Sequence, residues 1–196
     1  MKKIYLSILS IVATVGIVSG AAYALFSDTV TVSGLTVSTG NADLQINVMD
    51  TNLPDYYKDS ISSSDLGGFT IPSLYPGFRN DEKFWLRNNS TTGFYLRPSV
   101  KLTSPGGNWD ALKDVIEIKI TDITDPAKYS WEWRPLSWWN SEDRTISNTP
   151  GLANGNNNAH QYQIEVRIPS SADNTIKNKT LSNVTFVITG TQVNSP

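Results

Sequence analysis

From residue 27 onward, apolar and polar positions alternate in short runs. Val30 and Val32 are spaced by Thr29, Thr31 and Ser33. Leu35 and Val37 resume on the opposite parity, so a bulge or bend at Ser33-Gly34 would absorb one residue. Leu44, Ile46 and Val48 form the next period-two run, followed by Phe84 and Leu86, then Phe94, Leu96, Val100 and Leu102. Ile116, Ile118 and Ile120 alternate with Glu117, Lys119 and Thr121; Tyr162, Ile164, Val166 and Ile168 alternate with Gln163, Glu165 and Arg167; Val184, Phe186 and Ile188 come last. One apolar and one polar face per run is the pattern of antiparallel strands packed on one side. Turn signals at Tyr75-Pro76-Gly77, Ser104-Pro105-Gly106-Gly107 and Thr149-Pro150-Gly151 separate them. Residues 108–115 read as a short helix, with Asn108 as its cap and Trp109, Leu112 and Val115 on one side. A further turn is expected at 172–176. Residues 50–68 and 140–159, rich in Asn, Ser and Gly, read as loops. The pattern predicts an all-β fold, a jelly-roll-like antiparallel β-sandwich with one or two short helices.

The first residues break this pattern. Lys2 and Lys3 precede an uncharged run over 4–27, most apolar over 4–18, and Ala22-Tyr23-Ala24 places small residues at the −3 and −1 positions of a cleavage site. This is the layout of a secretory signal peptide. Cleavage is expected after Ala24, leaving residues 25–196 as one β-sandwich domain. An uncleaved anchor stays open, since the run could span about 30 Å of hydrocarbon as a helix. Ser7, Ser10, Thr14, Gly16, Ser19 and Gly20 dilute it, and no stop-transfer cations follow. A type IV pilin start is disfavoured, with no Gly before the apolar run and no Glu just inside it.

Composition narrows the chemistry. Net charge is −2 with no block of five like charges, against a nucleic-acid partner. The absence of Cys removes disulfides, thiolate metal sites and a Cys nucleophile. His160 is the sole histidine, too few for a paired-His Zn²⁺ site, and no phosphate-binding Gly-rich motif occurs. The expectation is a non-enzyme without a cofactor or metal. A length of 196 residues, 39% hydrophobic, suffices for a core without staples.

Ala22 to Thr29 reads Ala-Tyr-Ala-Leu-Phe-Ser-Asp-Thr and is followed by Thr39-Gly40-Asn41-Ala42-Asp43-Leu44. Further along stand Tyr75-Pro76-Gly77, Leu86-Arg87-Asn88-Asn89 leading into Tyr95-Leu96-Arg97, the run from Tyr162 to Pro169 with Asn174, and Val184-Thr185-Phe186 leading to Thr191-Gln192. In order and spacing these resemble the TasA/camelysin family of secreted proteins. The resemblance implies a jelly-roll subunit of an extracellular fibre or biofilm matrix, exported through a signal peptidase. It also implies head-to-tail polymerisation by donor-strand exchange, as in related archaeal bundling pili, with room for an accessory fibre-anchoring protein. Ala22 and Ala24 would direct cleavage, and about 25–33 would be the donor strand, with Leu25, Phe26, Val30, Val32 and Gly34 in contact with the neighbour. Residues 25–39 are β-prone and suit that role, main-chain bonds giving affinity and alternating side chains specificity. The product would be secreted, with no stable membrane anchor after cleavage.

Residues 131–139 depart from the family pattern. Trp131, Trp133, Trp138 and Trp139 suggest a carbohydrate-binding or adhesive platform on a monomeric module, the alternative function. The structural reading, which we favour, turns Trp131 and Trp133 into the core from one strand and caps it with Trp138. A metalloprotease activity, also associated with camelysin, would have to use His160 with carboxylates, weak chemistry for Zn²⁺. A Ser–His–Asp triad would need the same His160. Asp50, Asp55, Asp59 and Asp65, like Asp122 and Asp125, read as solvated loop acids rather than a Ca²⁺ site. Sequons begin at Asn88, Asn89, Asn178 and Asn183 and matter only in a host that glycosylates.

Overall fold

The alternating runs are realised as paired strands. A computed structural model describes residues 27–32, 42–49, 52–58, 74–90, 93–103, 106–125, 129–148, 150–177, 179–182 and 184–193. The strands are β1 (Ser27–Val32), β2 (Leu44–Asn47), β3 (Arg79–Asn88), β4 (Tyr95–Thr103), β5 (Gly106–Gly107), β6 (Glu117–Asp122), β7 (Arg134–Pro135), β8 (Arg144–Thr145), β9 (His160–Arg167), β10 (Leu181–Ser182) and β11 (Thr185–Val193). Two short helices, α1 (Trp109–Leu112) and α2 (Leu136–Ser141), lie among them. One sheet runs β1-β11-β4-β8, the other β2-β3-β9-β6-β7, and β10 pairs with β5. All the strand pairings are antiparallel. With β2, β5 and β10 set aside, the remaining strands taken in chain order occupy the sheets as 1-8-3-6 and 2-7-4-5. That is the order of two Greek keys in a jelly roll, so the chain folds as an all-β sandwich of the expected kind.

The inward side chains of both sheets form one core. Leu44, Ile46, Leu86, Leu96, Leu102, Ile118, Ile120 and Tyr162 are almost wholly buried, and Phe84 stacks on Tyr162 with ring centroids 5.6 Å apart. Each buried aliphatic side chain contributes about 1.5–3 kcal/mol, and strict alternation puts them all on one side. The turn at Tyr75-Pro76-Gly77 closes through Phe78 N–H donating to the Tyr75 carbonyl at 3.1 Å. Gly77, at φ +87°, supplies the left-handed position of a type II turn.

Three local expectations change. First, α1 covers less than 108–115, and Asn108 does not cap it; its Oδ1 accepts from Thr180 N–H at 3.1 Å, tying α1 to the approach to β10. Second, the turn expected at 172–176 is a 3₁₀ turn, Asn174–Ile176, capped by Asp173 through Thr175 N–H at 2.8 Å. Third, 140–159 is not merely a loop. It carries β8, paired with β4, and buries Ile146 and Leu152. Leu152 exchanges both main-chain bonds with Leu96, at 2.7 and 2.9 Å. Gly151 permits this approach: at φ +111°, a Cβ there would lie 2.4 Å from the Leu96 carbonyl oxygen. Among the described residues no helix is long and apolar enough to cross a membrane.

Candidate functional site

The first strand is placed on an edge. β1 pairs with β11 along its full length, from Ser27 opposite Thr191 to Val32 opposite Phe186, and among the described residues no strand lies on its other side. Across the sandwich it lies beside β2, the edge strand of the second sheet. The outer side of β2 is partly closed, because Ile46 exchanges two main-chain bonds with Lys58 at 3.0 and 2.9 Å. The seat of β1 is therefore β11, whose inward residues Phe186, Ile188 and Gly190 are buried. Gly190 matters for spacing: a Cβ on it would meet Leu44 of β2 at 3.2 Å, so glycine lets β11 approach β2 across the sandwich. Val30 and Val32 stand opposite Ile188 and Phe186 in the register. Leu25, Phe26 and Gly34, and the cleavage residues Ala22 and Ala24, lie outside the described residues.

The tryptophans do not form one platform. Trp139 is fully buried on α2 and directs Nε1 at the Ile118 carbonyl, 3.4 Å away. Trp138 and Trp131 pack edge-to-face with it and each other, at centroid distances of 5.0–6.4 Å. Trp131 also donates Nε1–H to the Thr145 carbonyl at 2.8 Å, while Arg144 stacks over Trp138 at 3.8 Å. Tyr129 joins this group, its ring 5.8 Å from Trp131 and its hydroxyl donating to the same Thr145 carbonyl. These residues are structural, sewing the segment before β7 onto β8.

Trp133 is different and corrects the expectation that it turns inward with Trp131. It does not pack on the core; its ring meets the guanidinium groups of Arg167 at 4.2 Å and Arg79 at 5.5 Å. Arg79 and Arg167 are direct cross-strand partners on β3 and β9. The two-residue offset from Trp131 fails to share its fate because 131–133 is not a strand; only Ser130 forms a bridge, with Thr121. Beside Trp133 opens a cleft of about 480 Å³, lined by Lys119, Ser130, Trp131, Glu132, Trp133 and Arg167. Glu165, buried on β9, pairs with Arg79 and, at 3.3 Å, with Lys119; Arg167 Nε lies 2.6 Å from Glu117. Sequence reasoning singled out Trp133 but missed the basic residues under it, which sit as ordinary outward positions of alternating strands.

His160 opens β9 and places Nδ1 2.6 Å from Asp122 Oδ2. The other oxygen of Asp122 accepts the main-chain N–H groups of Thr124 and Asp125 at 3.0 and 3.2 Å. The pair thus locks the turn after β6 to the start of β9. Nearby, burial holds the Tyr162 hydroxyl well above its ordinary pKa, with the Asp122 charge and Tyr129 adding to the effect. Among the described residues no group of three or more His, Asp or Glu is placed to hold a metal ion. Asp55 lies on the 3₁₀ turn Pro54–Tyr56, whereas Asp50, Asp59 and Asp65 fall outside the described residues. Asn88 is fully buried, so its sequon is closed to modification in the folded chain; Asn178 and Asn183 lie outside the described residues.

Compared with known proteins, the chain matches no family model and no curated protein.

Proposed function

We propose that this chain is the structural subunit of a secreted filament or matrix fibre, in which β1 of one copy takes the β1 place on β11 of the next. One observation carries the reading: among the described residues, the strand that follows the expected signal cleavage is an edge strand, held by main-chain pairing to β11 alone. Such a strand is exchangeable at little cost, because the same ladder forms in trans as in cis. The roughly eleven residues between β1 and β2 reach about 36 Å at full extension, enough for β1 to cross to a neighbour. A head-to-tail exchange that does not close on itself gives an open filament. The resemblance to TasA/camelysin proteins agrees with this reading, under which the partners would be a signal peptidase during export and an accessory anchoring protein. The adhesive-module alternative is weakened, since three of its four tryptophans are spent on packing.

The test acts on the backbone. Of two successive strand residues, one directs its N–H at the neighbouring strand, so Thr29→Pro with Val30→Pro must break the ladder. Negative-stain microscopy should show filaments from the native chain and none from the double variant, with the β-rich circular dichroism retained. Unchanged filaments would overturn strand exchange through β1.

A further inference from the structure

We infer that the cleft beside Trp133 is a binding site for neutral polysaccharide, independent of the strand-exchange surface. The observations point to sugar in three steps.

First, Trp133 is the aromatic residue of its segment that the fold does not need. Trp131, Trp138 and Trp139 pack on one another and on the core, whereas Trp133 sits over charged side chains at a cleft open to solvent. A large apolar ring kept at such a place is the usual mark of a contact surface.

Second, the lining alternates apolar surface with groups that donate and accept. Trp131 and Trp133 offer indole surface for the C–H face of a pyranose. Lys119 and Arg167 donate, the carboxylate of Glu132 accepts, and the Ser130 hydroxyl does either. Glu132 is 87% exposed and held only by a long ion pair to Arg134, at 3.7 Å. A ring with polar groups on its rim and apolar hydrogens on its face matches that mixture.

Third, charge selects the class of sugar. Both cations lining the cleft are already committed to carboxylates, Lys119 to Glu165 and Arg167 to Glu117. A uronate or phosphate entering here would have to compete with those acids for the two cations. A neutral glycan keeps both ion pairs and uses their remaining N–H groups. The cleft lies over β6 and β9, in the middle of the five-stranded sheet, away from the edge where β1 docks. A fibre subunit could therefore hold glycan while its arm is engaged.

The experiment uses protein expressed from the full chain, with cellohexaose and chitotriose as neutral probes and polygalacturonate as the acidic one. Tryptophan fluorescence titration and saturation-transfer difference NMR read the binding. Expected is saturable binding of at least one neutral probe, weakened on the order of tenfold or more by Trp133→Ala. Tyr75→Ala, removing an exposed aromatic elsewhere, should leave binding unchanged. Absence of neutral-probe binding to the native chain overturns the site, as does a titration indifferent to Trp133→Ala. Preference for polygalacturonate overturns the neutral class. If Trp133→Ala alters filament formation while glycan affinity stays constant, the surface is a protein contact and the inference fails. Because Trp133→Ala leaves β1 and β11 untouched, failure here is separable from failure of strand exchange.

Discussion

Asn88 shows what one polar residue does inside the sandwich. It ends β3 on an inward position, where a hydrophobic side chain would be the default, and it is fully buried. Its amide nitrogen donates to the carbonyls of Phe94 at 2.8 Å and Leu152 at 3.2 Å, and its oxygen accepts Ser90 N–H at 3.1 Å. Three main-chain groups from three segments are thus satisfied by one side chain. Replacing it by Ala takes this partner from the Phe94 carbonyl and the Ser90 N–H, each costing about 1–3 kcal/mol before relaxation, while the Leu152 carbonyl keeps the Leu96 N–H at 2.9 Å. Asn88→Ala should therefore destabilise the fold by about 2–4 kcal/mol, read as a lower urea midpoint at unchanged slope. Asn89, one position on and facing outward, bonds only Asp43 through its side chain, and Asn89→Ala should cost well under half as much. The sequence displayed Leu86-Arg87-Asn88-Asn89 as a recognisable stretch. It could not show which Asn mattered, because the partner at Leu152 lies far along the chain and only the folded register brings it in.

Elements were legible where a run was long enough to show its period. β4, β6, β9 and β11 each display several alternations, and each is a strand in the place expected. β7 and β8 are two-residue strands, too short for any period, and exist only because β6 and β4 present an edge to them. α2 was missed for a related reason. Its six residues contain two adjacent tryptophans, which suit a strand as well as a helix, and Pro135 at its N-cap supplied the only start signal. Once the helix forms, Leu136 and Trp139 fall on one face and both are buried. The consequence is a sharp ranking within 131–139. Trp139→Ala opens a large cavity and should cost about 3–5 kcal/mol. Trp133→Ala removes a half-exposed ring from charged neighbours and should cost no more than about 1 kcal/mol. Thermal denaturation of the two variants checks the ranking; equal losses would mean that Trp133 belongs to the core assembly after all.

For the whole molecule, alternation told which face of each strand is buried but not which strands are neighbours. The pairing of β1 with β11 joins opposite ends of the chain, and no local signal encodes it. What the assembled sandwich adds is a set of tyrosines removed from water in separate places. Tyr57 holds the 52–58 segment: its hydroxyl donates to Asn52 at 2.6 Å and Arg87 stacks on its ring at 4.1 Å. Burial pushes its pKa up to about 12, the Arg87 charge offsetting part of the effect. Tyr129, bound to the Thr145 carbonyl, is likewise pushed up to about 12 by burial, against a smaller opposing effect of its bond with Trp131. Tyr162, in the core, is also held well above its ordinary value by burial. In the unfolded chain these hydroxyls ionise near pH 10. Between about pH 10 and 12 the folded state therefore binds more protons than the unfolded one, and stability must fall as pH rises. The contribution is fully present below pH 10 and is lost on passing through the folded values, when tyrosinate forms and Tyr129 can no longer donate to Thr145. Urea midpoints measured across this window should decline steeply, in step with tyrosinate absorbance. Tyr57→Phe and Tyr129→Phe should each flatten the decline, because a phenyl ring has no proton to lose; a midpoint constant across the window would show that these hydroxyls reach water in the native state. Edge strand β1 carries no tyrosine, so this loss belongs to the sandwich itself, and filaments should dissolve at high pH only as their subunits unfold.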